Sequence, residues 1–199
     1  MNKNNYWAVI PAAGVGKRMQ LNIPKQYLEL NGKTVLETTL SVFLQHPEIS
    51  GIVVAISNGD PYWKKLVIES KKPVLTARGG TERSESVLSA LNVLKQHAHN
   101  SDWVLVHDAA RPCLKTEDID KLIKQLSDSQ YGGLLGLPMA DTVKRSNSKG
   151  QVIETVDRNH LWRALTPQMF RLDMLYNAIS QALKKNLLIT DEASAVEMQ

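Results

Sequence analysis

One cysteine, Cys113, is the whole thiol content of the 199 residues, so an internal disulfide is excluded and a reducing compartment fits. No run of 18 apolar residues occurs, so no segment reads as a membrane-spanning helix. The opening Met1-Asn2-Lys3-Asn4-Asn5-Tyr6 lacks the apolar core of a secretory signal. Long Lys/Arg blocks are missing too: 24 basic against 20 acidic residues leave a formal charge of +4, too mild for a nucleic-acid-binding tail. Repeats and low-complexity segments are absent. These absences predict a soluble cytoplasmic protein with no nucleic-acid or membrane partner, whose charge suits a phosphorylated small substrate. With 43% hydrophobic and 22% charged residues, the length predicts one domain over residues 1–199.

Against that plain background stands Ala12-Ala13-Gly14-Val15-Gly16-Lys17-Arg18-Met19, running on through Asn22-Ile23-Pro24-Lys25-Gln26. It follows Tyr6-Trp7-Ala8-Val9-Ile10, an apolar run rich enough in β-formers to predict a buried strand. Small residues and two glycines let the backbone approach a ligand closely, with N–H groups turned toward anionic oxygens. Lys17, Arg18 and Lys25 add cations, and Pro24 stiffens the turn before Lys25. The stretch reads as a polyphosphate site. It is not a Walker A loop, because Pro11 occupies the first glycine position and Arg18 replaces the Ser or Thr. It is not a dinucleotide fingerprint either, since Met19 stands where the third glycine belongs. A glycine-rich turn with solvated cations is the plainer alternative.

Strands and helices then alternate. Helices are predicted over 35–45, 62–70, 83–97, 117–126 and 171–185, and strands over 51–57, 73–77, 103–106 and 131–137. A last capped helix is predicted to start at Thr190-Asp191-Glu192-Ala193. This order implies an α/β fold: a parallel sheet with helices on both faces. Between about Asp141 and Arg158 the pattern turns polar. Asn147-Ser148-Lys149-Gly150 at a turn, flanked by Thr142-Val143 and Val152-Ile153, predicts a protruding two-stranded arm. A hairpin of that kind is marginal alone in water, so a partner surface is expected.

Three further clusters fall where an open α/β sheet places its ligands. Gly79-Gly80-Thr81-Glu82-Arg83-Ser84-Glu85-Ser86 leaves a strand and enters a helix at once, which exposes N–H groups and a positive dipole end. Ser86 is placed to hydrogen-bond a base or ribose, while Thr81 and Ser84 serve equally well as helix caps. His107-Asp108-Ala109-Ala110-Arg111 follows another strand. Asp108 there suits Mg²⁺ that already carries phosphate oxygens, with a salt bridge to Arg111 as the alternative and a structural role for His107. Asp141–Lys144, Thr155–Arg158 and Leu161–Gln168 form the third cluster, whose simpler reading is a solvated arm. Asp118-Ile119-Asp120 imitates a glycosyltransferase metal motif but lies within a helical pattern.

The ordered motifs AAGVGKRM…PKQYLEL, GGTERSESV, VHDAARP, DTVK, TVDRNHLWRALTPQMF and TDEASAVE, from residue 8 onward, resemble the 2-C-methyl-D-erythritol 4-phosphate cytidylyltransferase family of the non-mevalonate isoprenoid pathway. The resemblance implies a Rossmann-like, mostly parallel sheet of the GT-A-like nucleotidyltransferase kind with a protruding β-arm. It implies transfer of CMP from CTP to methylerythritol phosphate with release of pyrophosphate, Mg²⁺ or another divalent cation, and a homodimer through the arm. Carried over by motif, Arg18 and Lys25 hold the triphosphate as catalytic cations. Ala12, Ala13, Gly14, Gly16, Gly80, Thr81, Ser86 and Ala109 line the nucleotide, and Asp108 takes the metal. Thr142, Arg158, Thr166 and Thr190 match substrate-side positions, some reaching across the dimer. Thr81 stands where many members have Asp. Family members continue past the position of Gln199 with a strand, a helix and an active-site lysine, so that lysine has no counterpart to assign.

A phosphate monoester has its second pKa near ~6, so the attacking group is already dianionic at neutral pH and no general base is required. Repulsion between that dianion and a triphosphate is the obstacle, and positioned cations remove it. Two rivals stay open. Ribitol-5-phosphate cytidylyltransferases share the loop and the TPQ segment, and a nucleotide-binding homologue without turnover shares the fold. Leu161-Trp162 favours the methylerythritol branch, and retention of Arg18, Lys25 and Asp108 favours an enzyme.

Overall fold

Residue alternation along the first strand sets up the two sides of the molecule. The computed structural model describes residues 5–14 and 23–199. In β1 (Tyr6–Pro11) every residue before Pro11 is buried, as a strand covered on both faces requires. Tyr6, Ala8 and Ile10 point into one apolar cluster, and Trp7 and Val9 into the other. A short ladder of β2 (Glu29–Leu30) and β3 (Lys33–Thr34) leads into α1 (Val35–Gln45), followed by β4 (Ile49–Ile56) and β5 (Val74–Arg78). Next come α2 (Arg83–Leu94), β6 (Trp103–Val106), α3 (Thr116–Leu126), β7 (Gly133–Pro138), β8 (Val143–Ser146) and β9 (Val152–Val156). β10 (Trp162–Arg171), α4 (Leu172–Lys184) and α5 (Glu192–Glu197) complete the described chain.

The central sheet runs β5-β4-β1-β6-β10-β7. β5, β4, β1 and β6 pair in parallel, and β10 is antiparallel to both of its neighbours. α2, α4 and α5 cover one face with Val87, Leu91, Leu94, Leu175 and Ile179. α1 and α3 cover the other with Leu36, Leu40, Phe43, Ile119 and Leu122. The expected α/β architecture, parallel for the most part with helices on both faces, is the one observed. β8 and β9 pair only with each other, in an exposed two-stranded arm.

One expected element fails: residues 62–70 do not form a helix. Asp60 Oδ1 accepts from the N–H groups of Tyr62 and Trp63, and only a 3₁₀ turn, Trp63–Lys65, follows. Past Leu66 the chain is extended or turning toward Pro73, and the β-branched pair Val67-Ile68 does little for a helix there. β10 is a strand to which the sequence reading gave no element, and its Pro167 cannot donate to a ladder. The register breaks between Ala164 and Gln168, so the bulge absorbs the missing N–H while Met169 and Phe170 pack in the core. α2 also ends at Leu94 rather than His97.

Local chemistry explains the clean start of α1. Thr34 Oγ1 accepts from the Glu37 N–H at 3.1 Å, and Glu37 Oε2 accepts from the Thr34 N–H at 2.7 Å, closing a capping box. Thr34→Ala is expected to lower stability by about 1 kcal/mol. A chemical denaturation curve with an unchanged midpoint would show that the cap contributes nothing.

Candidate active site

The carboxyl ends of β1, β5 and β6 carry the residues that matter, and two backbone approaches bring them together. A Cβ placed on Gly79 would sit 2.1 Å from Ala13 Cβ, so the turn after β5 packs directly against the loop after β1. Only a residue without a side chain permits that contact. Gly79 N–H donates to the Ile56 carbonyl and Ala12 N–H to that of Ala55, both at 2.7 Å, which extends sheet pairing into both loops. Buried Gln26 donates Nε2 to the carbonyls of Ala12 (2.7 Å) and Gly14 (3.0 Å). With the Ala12 carbonyl turned toward Gln26, the trans peptide points the Ala13 N–H the opposite way. Lys25 lies in a 3₁₀ turn, Lys25–Tyr27. It is exposed, while Gln26 and Tyr27 beside it are buried, and Tyr27 donates its hydroxyl to Asp60 at 2.8 Å.

Across the turn, Ser86 Oγ accepts from the Gly80 N–H (3.0 Å) and donates to the Glu82 carbonyl (3.1 Å). One acceptor lone pair remains on it. Thr81 gives both its N–H (2.7 Å) and its hydroxyl (2.6 Å) to Glu85 Oε2 and so serves the start of α2. The N-cap of α2 is Glu82, so Thr81 meets the first turn as a donor to Glu85 rather than as the cap.

Asp108 follows β6 and sits in a cation clamp. Arg83 Nε lies 3.0 Å from Oδ1 and Arg111 Nε 2.8 Å from Oδ2. Burial alone would raise this carboxyl, yet the two guanidinium groups hold it below the usual aspartate range. Arg83 also forks onto Glu192, Nη1 to Oε1 at 2.6 Å and Nη2 to Oε2 at 3.1 Å, and Glu192 is 1% exposed. Burial opposes the Arg83 charge, but the two carboxylates raise its pKa above that of a free arginine. A single guanidinium thus joins the starts of α2 and α5 to the end of β6.

β10 supplies the other wall. Its bulge turns Thr166 toward buried His107, with Oγ1 2.9 Å from Nδ1, and toward the Asp108 N–H at 3.5 Å. Burial pushes the His107 pKa down, so the ring is neutral at ordinary pH. Gln168 is buried as well, donating to Asp191 and accepting from the Ala193 N–H, both at 2.8 Å, which ties β10 to α5. A cavity of about 390 Å³ opens here, lined by His107, Arg111, Leu135, Leu165 and Thr166 among others. A larger hollow of about 580 Å³ lies elsewhere, between α1 and residues 67–72, and holds none of the residues read as a site.

The structure therefore brings Ala12, Ala13, Gly14, Gly80, Thr81, Ser86, Asp108 and Thr166 to one end of the sheet. Ala109 is buried there, its carbonyl taken by Thr39 Oγ1 at 3.1 Å. Thr190 is exposed just before α5. Thr142 and Arg158 are exposed on the arm, where Arg158 Nη1 donates to the Ala140 carbonyl. Arg18 and Gly16 lie outside the described residues. Four contributors went unassigned in the sequence: Gln26, Arg83, Gln168 and Glu192. All four stand inside quoted motifs, PKQ, GGTER, TPQ and TDE. The contacts that define them span between 12 and 109 residues, which no local pattern reveals.

Residues 6–199 match the family model described as 2-C-methyl-D-erythritol 4-phosphate cytidylyltransferase. A protein of that name from Pseudomonas putida strain F1 is 55% identical over 193 residues, covering 96% of this chain and 82% of its own length. One from Vibrio vulnificus strain YJ016 is 53% identical, covering 96% and 80%. Among solved structures, the Francisella tularensis enzyme of the same name shows 40% identity and a TM-score of 0.83, spanning 98% of this chain and 86% of that one. The Thermus thermophilus enzyme shows 27% identity and a TM-score of 0.75, spanning 98% and 84%.

Two substitutions probe the geometry. Gly79→Ala must separate the turn from Ala13, and nucleotide affinity measured by titration calorimetry is expected to fall about tenfold or more, as a misplaced positioning group entails. Unchanged affinity would mean that this contact does not shape a nucleotide site. Arg83→Met leaves Glu192 buried without a counter-ion and is expected to destabilise by about 3 kcal/mol. The matching fall in melting temperature is roughly 6–12 °C, and a loss below about 1 kcal/mol would show that the pair is not needed.

Proposed function

This chain belongs to the 2-C-methyl-D-erythritol 4-phosphate cytidylyltransferase family, and from that premise we propose how its residues divide the work. The chain is a nucleotidyltransferase: it transfers the CMP moiety of CTP to 2-C-methyl-D-erythritol 4-phosphate, giving the CDP-alcohol and pyrophosphate in isoprenoid precursor biosynthesis. The observation that carries the assignment of roles is the contact of the Ala12–Gly14 loop with the Gly79–Ser86 turn beside Asp108.

The loop and the turn hold the nucleotide. The remaining acceptor lone pair of Ser86 matches the exocyclic amine of cytosine and opposes the carbonyl of uracil, so CTP is favoured over UTP. Lys25, exposed on a turn whose neighbours are locked, faces the triphosphate and neutralises charge that develops at the α-phosphorus. Arg18, between the loop and Lys25 in the chain, joins it. The attacking phosphate is dianionic without help, so orientation and charge cancellation are the whole task, and no side chain abstracts a proton.

Asp108 fits a divalent cation such as Mg²⁺. Among the described residues no cluster of three or more His, Cys, Asp or Glu exists, so the ion must bring phosphate oxygens and waters as its other ligands, which Mg²⁺ ordinarily does. The two arginines occupy one acceptor site on each Asp108 oxygen, and an ionised carboxylate keeps others. Bound there, the metal would supply charge neutralisation of the phosphates. Thr166, Thr190 and, from the arm, Thr142 and Arg158 take the acceptor substrate.

The arm supports a homodimer. Val152, Ile153 and Trp162 are 62–63% exposed on and beside it, an apolar surface that a second subunit would cover. A twofold arrangement would carry the partner's arm, with its Arg158, to this site. Among the described residues no helix is long and apolar enough to cross a membrane. Use of CTP and an exposed free Cys113 support a cytoplasmic location.

Pyrophosphate release measured with CTP, UTP, methylerythritol phosphate and ribitol phosphate tests the reading. Turnover is expected only with CTP and methylerythritol phosphate, and equal rates with UTP would refute the Ser86 argument. Lys25→Ala should lower kcat by about 10²–10³ with little change in melting temperature. Mixed with Arg158→Ala subunits, it should regain activity, because one site of the heterodimer is intact. If heterodimers form and activity stays absent, Arg158 acts within its own subunit.

A further inference from the structure

Asp60 is a buried carboxylate held by four donors. Its Oδ1 accepts from the Tyr62 and Trp63 N–H groups at 2.9 and 3.1 Å, and its Oδ2 from the Tyr27 and Ser57 hydroxyls at 2.8 and 3.2 Å. Those bonds fill the acceptor capacity of an ionised carboxylate. Burial, and then this carboxylate, raise the Tyr27 pKa, so the phenol keeps its proton and donates. Its ring also stacks on Tyr62, with centroids 5.1 Å apart. Tyr27 closes the turn that begins at Lys25, its own N–H donating to the Pro24 carbonyl at 2.8 Å. Successive side chains of a 3₁₀ turn diverge by about 120°. Gln26 is bound to the loop after β1 and Tyr27 to the segment after β4, and both are buried, so the direction left to Lys25 is outward. β1 and β4 are paired neighbours, which stands both anchors on adjacent strand ends.

We propose that Asp60 and Tyr27 are positioning residues for Lys25: their buried hydroxyl-to-carboxylate bond fixes the turn that carries the ammonium, and so serves the transfer without touching a substrate. This rests on the reading of Lys25 as a cation at the triphosphate. A lysine side chain is flexible along its four-carbon stem, so the fold controls only where that stem begins. Misplacement by about 1 Å is enough to cost as much as 10²-fold in rate. The charge that Lys25 meets develops in the transition state, so a loosened turn lowers kcat and spares KM. Tyr27→Phe removes the hydroxyl alone. The ring keeps its place on Tyr62, and Asp60 keeps three of its donors.

A double-substitution cycle read in kcat tests this. Tyr27→Phe is expected to lower kcat about tenfold while KM for CTP changes less than about twofold. Its melting temperature should fall by only about 2–4 °C, the loss of one hydrogen bond. In the Lys25→Ala background the same substitution should change kcat by less than about twofold, because no ammonium is left to misplace. A purely structural role would lower kcat by the same factor in both backgrounds. That result, or an unchanged kcat for Tyr27→Phe, would overturn the proposal. Should Tyr27→Phe not fold, Asp60→Asn takes its place. It exchanges a charge-assisted bond for a neutral one and should lower kcat about threefold, again only where Lys25 is present. No loss, or equal losses in both backgrounds, would overturn the proposal here too. An unaltered kcat for Lys25→Ala would refute the role of Lys25 and the positioning with it. Absence of pyrophosphate release by the unsubstituted enzyme with CTP and methylerythritol phosphate would instead refute the cytidylyl-transfer reading.

Discussion

Glu192 is a carboxylate sealed from solvent, and the Arg83 guanidinium is its counter-ion. Charge burial of this kind is tolerated only when a partner meets it with good geometry, and the forked contact of Arg83 is bidentate. The same guanidinium spends its third N–H on Asp108. Because Arg83 opens α2, Asp108 follows β6 and Glu192 opens α5, one side chain sets the spacing of three elements. The Gly79–Gly80 turn lies just before Arg83, so its packing against Ala13 inherits that spacing. Gln168 repeats the device on the other side, linking β10 to the start of α5. α5 is only six residues long. Its place in the fold comes from these polar ties and from Ala193 and Ala195 packed in the core.

How much of this was legible in the sequence follows the range of the forces involved. β1, α1, β6 and α3 are written in local periodicity and caps, and their observed bounds agree with the expected ones to within a residue or so. Residues 62–70 carried enough apolar spacing to suggest a helix, but the 3₁₀ turn stops at Lys65 and the β-branched pair Val67-Ile68 gave the next turn no support. β10 carries Pro167, which cannot donate to a ladder, and only the bulge seen in the fold accommodates it. Asp108 could be singled out from its place after a strand. Its partner Arg83 could not, because the contact spans 25 residues and an intervening strand. In the same way Ser86 was legible as a polar residue on a first turn, whereas the direction of its hydrogen bonds was not.

The sign of each charge follows its depth. The acids Asp108 and Glu192 are both paired with arginine within the fold, so neither presents an uncompensated negative charge. Lys25 is exposed in its 3₁₀ turn and Arg158 is exposed on the arm, where it donates to the Ala140 carbonyl. A triphosphate and a phosphate monoester arriving together carry charge that water would keep apart, and a chain that met them with its own carboxylates uncompensated would add to the repulsion. With the acids already paired, exposed cations such as these would keep their charge for incoming phosphates. The cost of organising those cations falls on folding and not on the reaction. That division explains why the site needs no proton-abstracting side chain. The one histidine within it, His107, is neutral and fully occupied by Arg111 and Thr166.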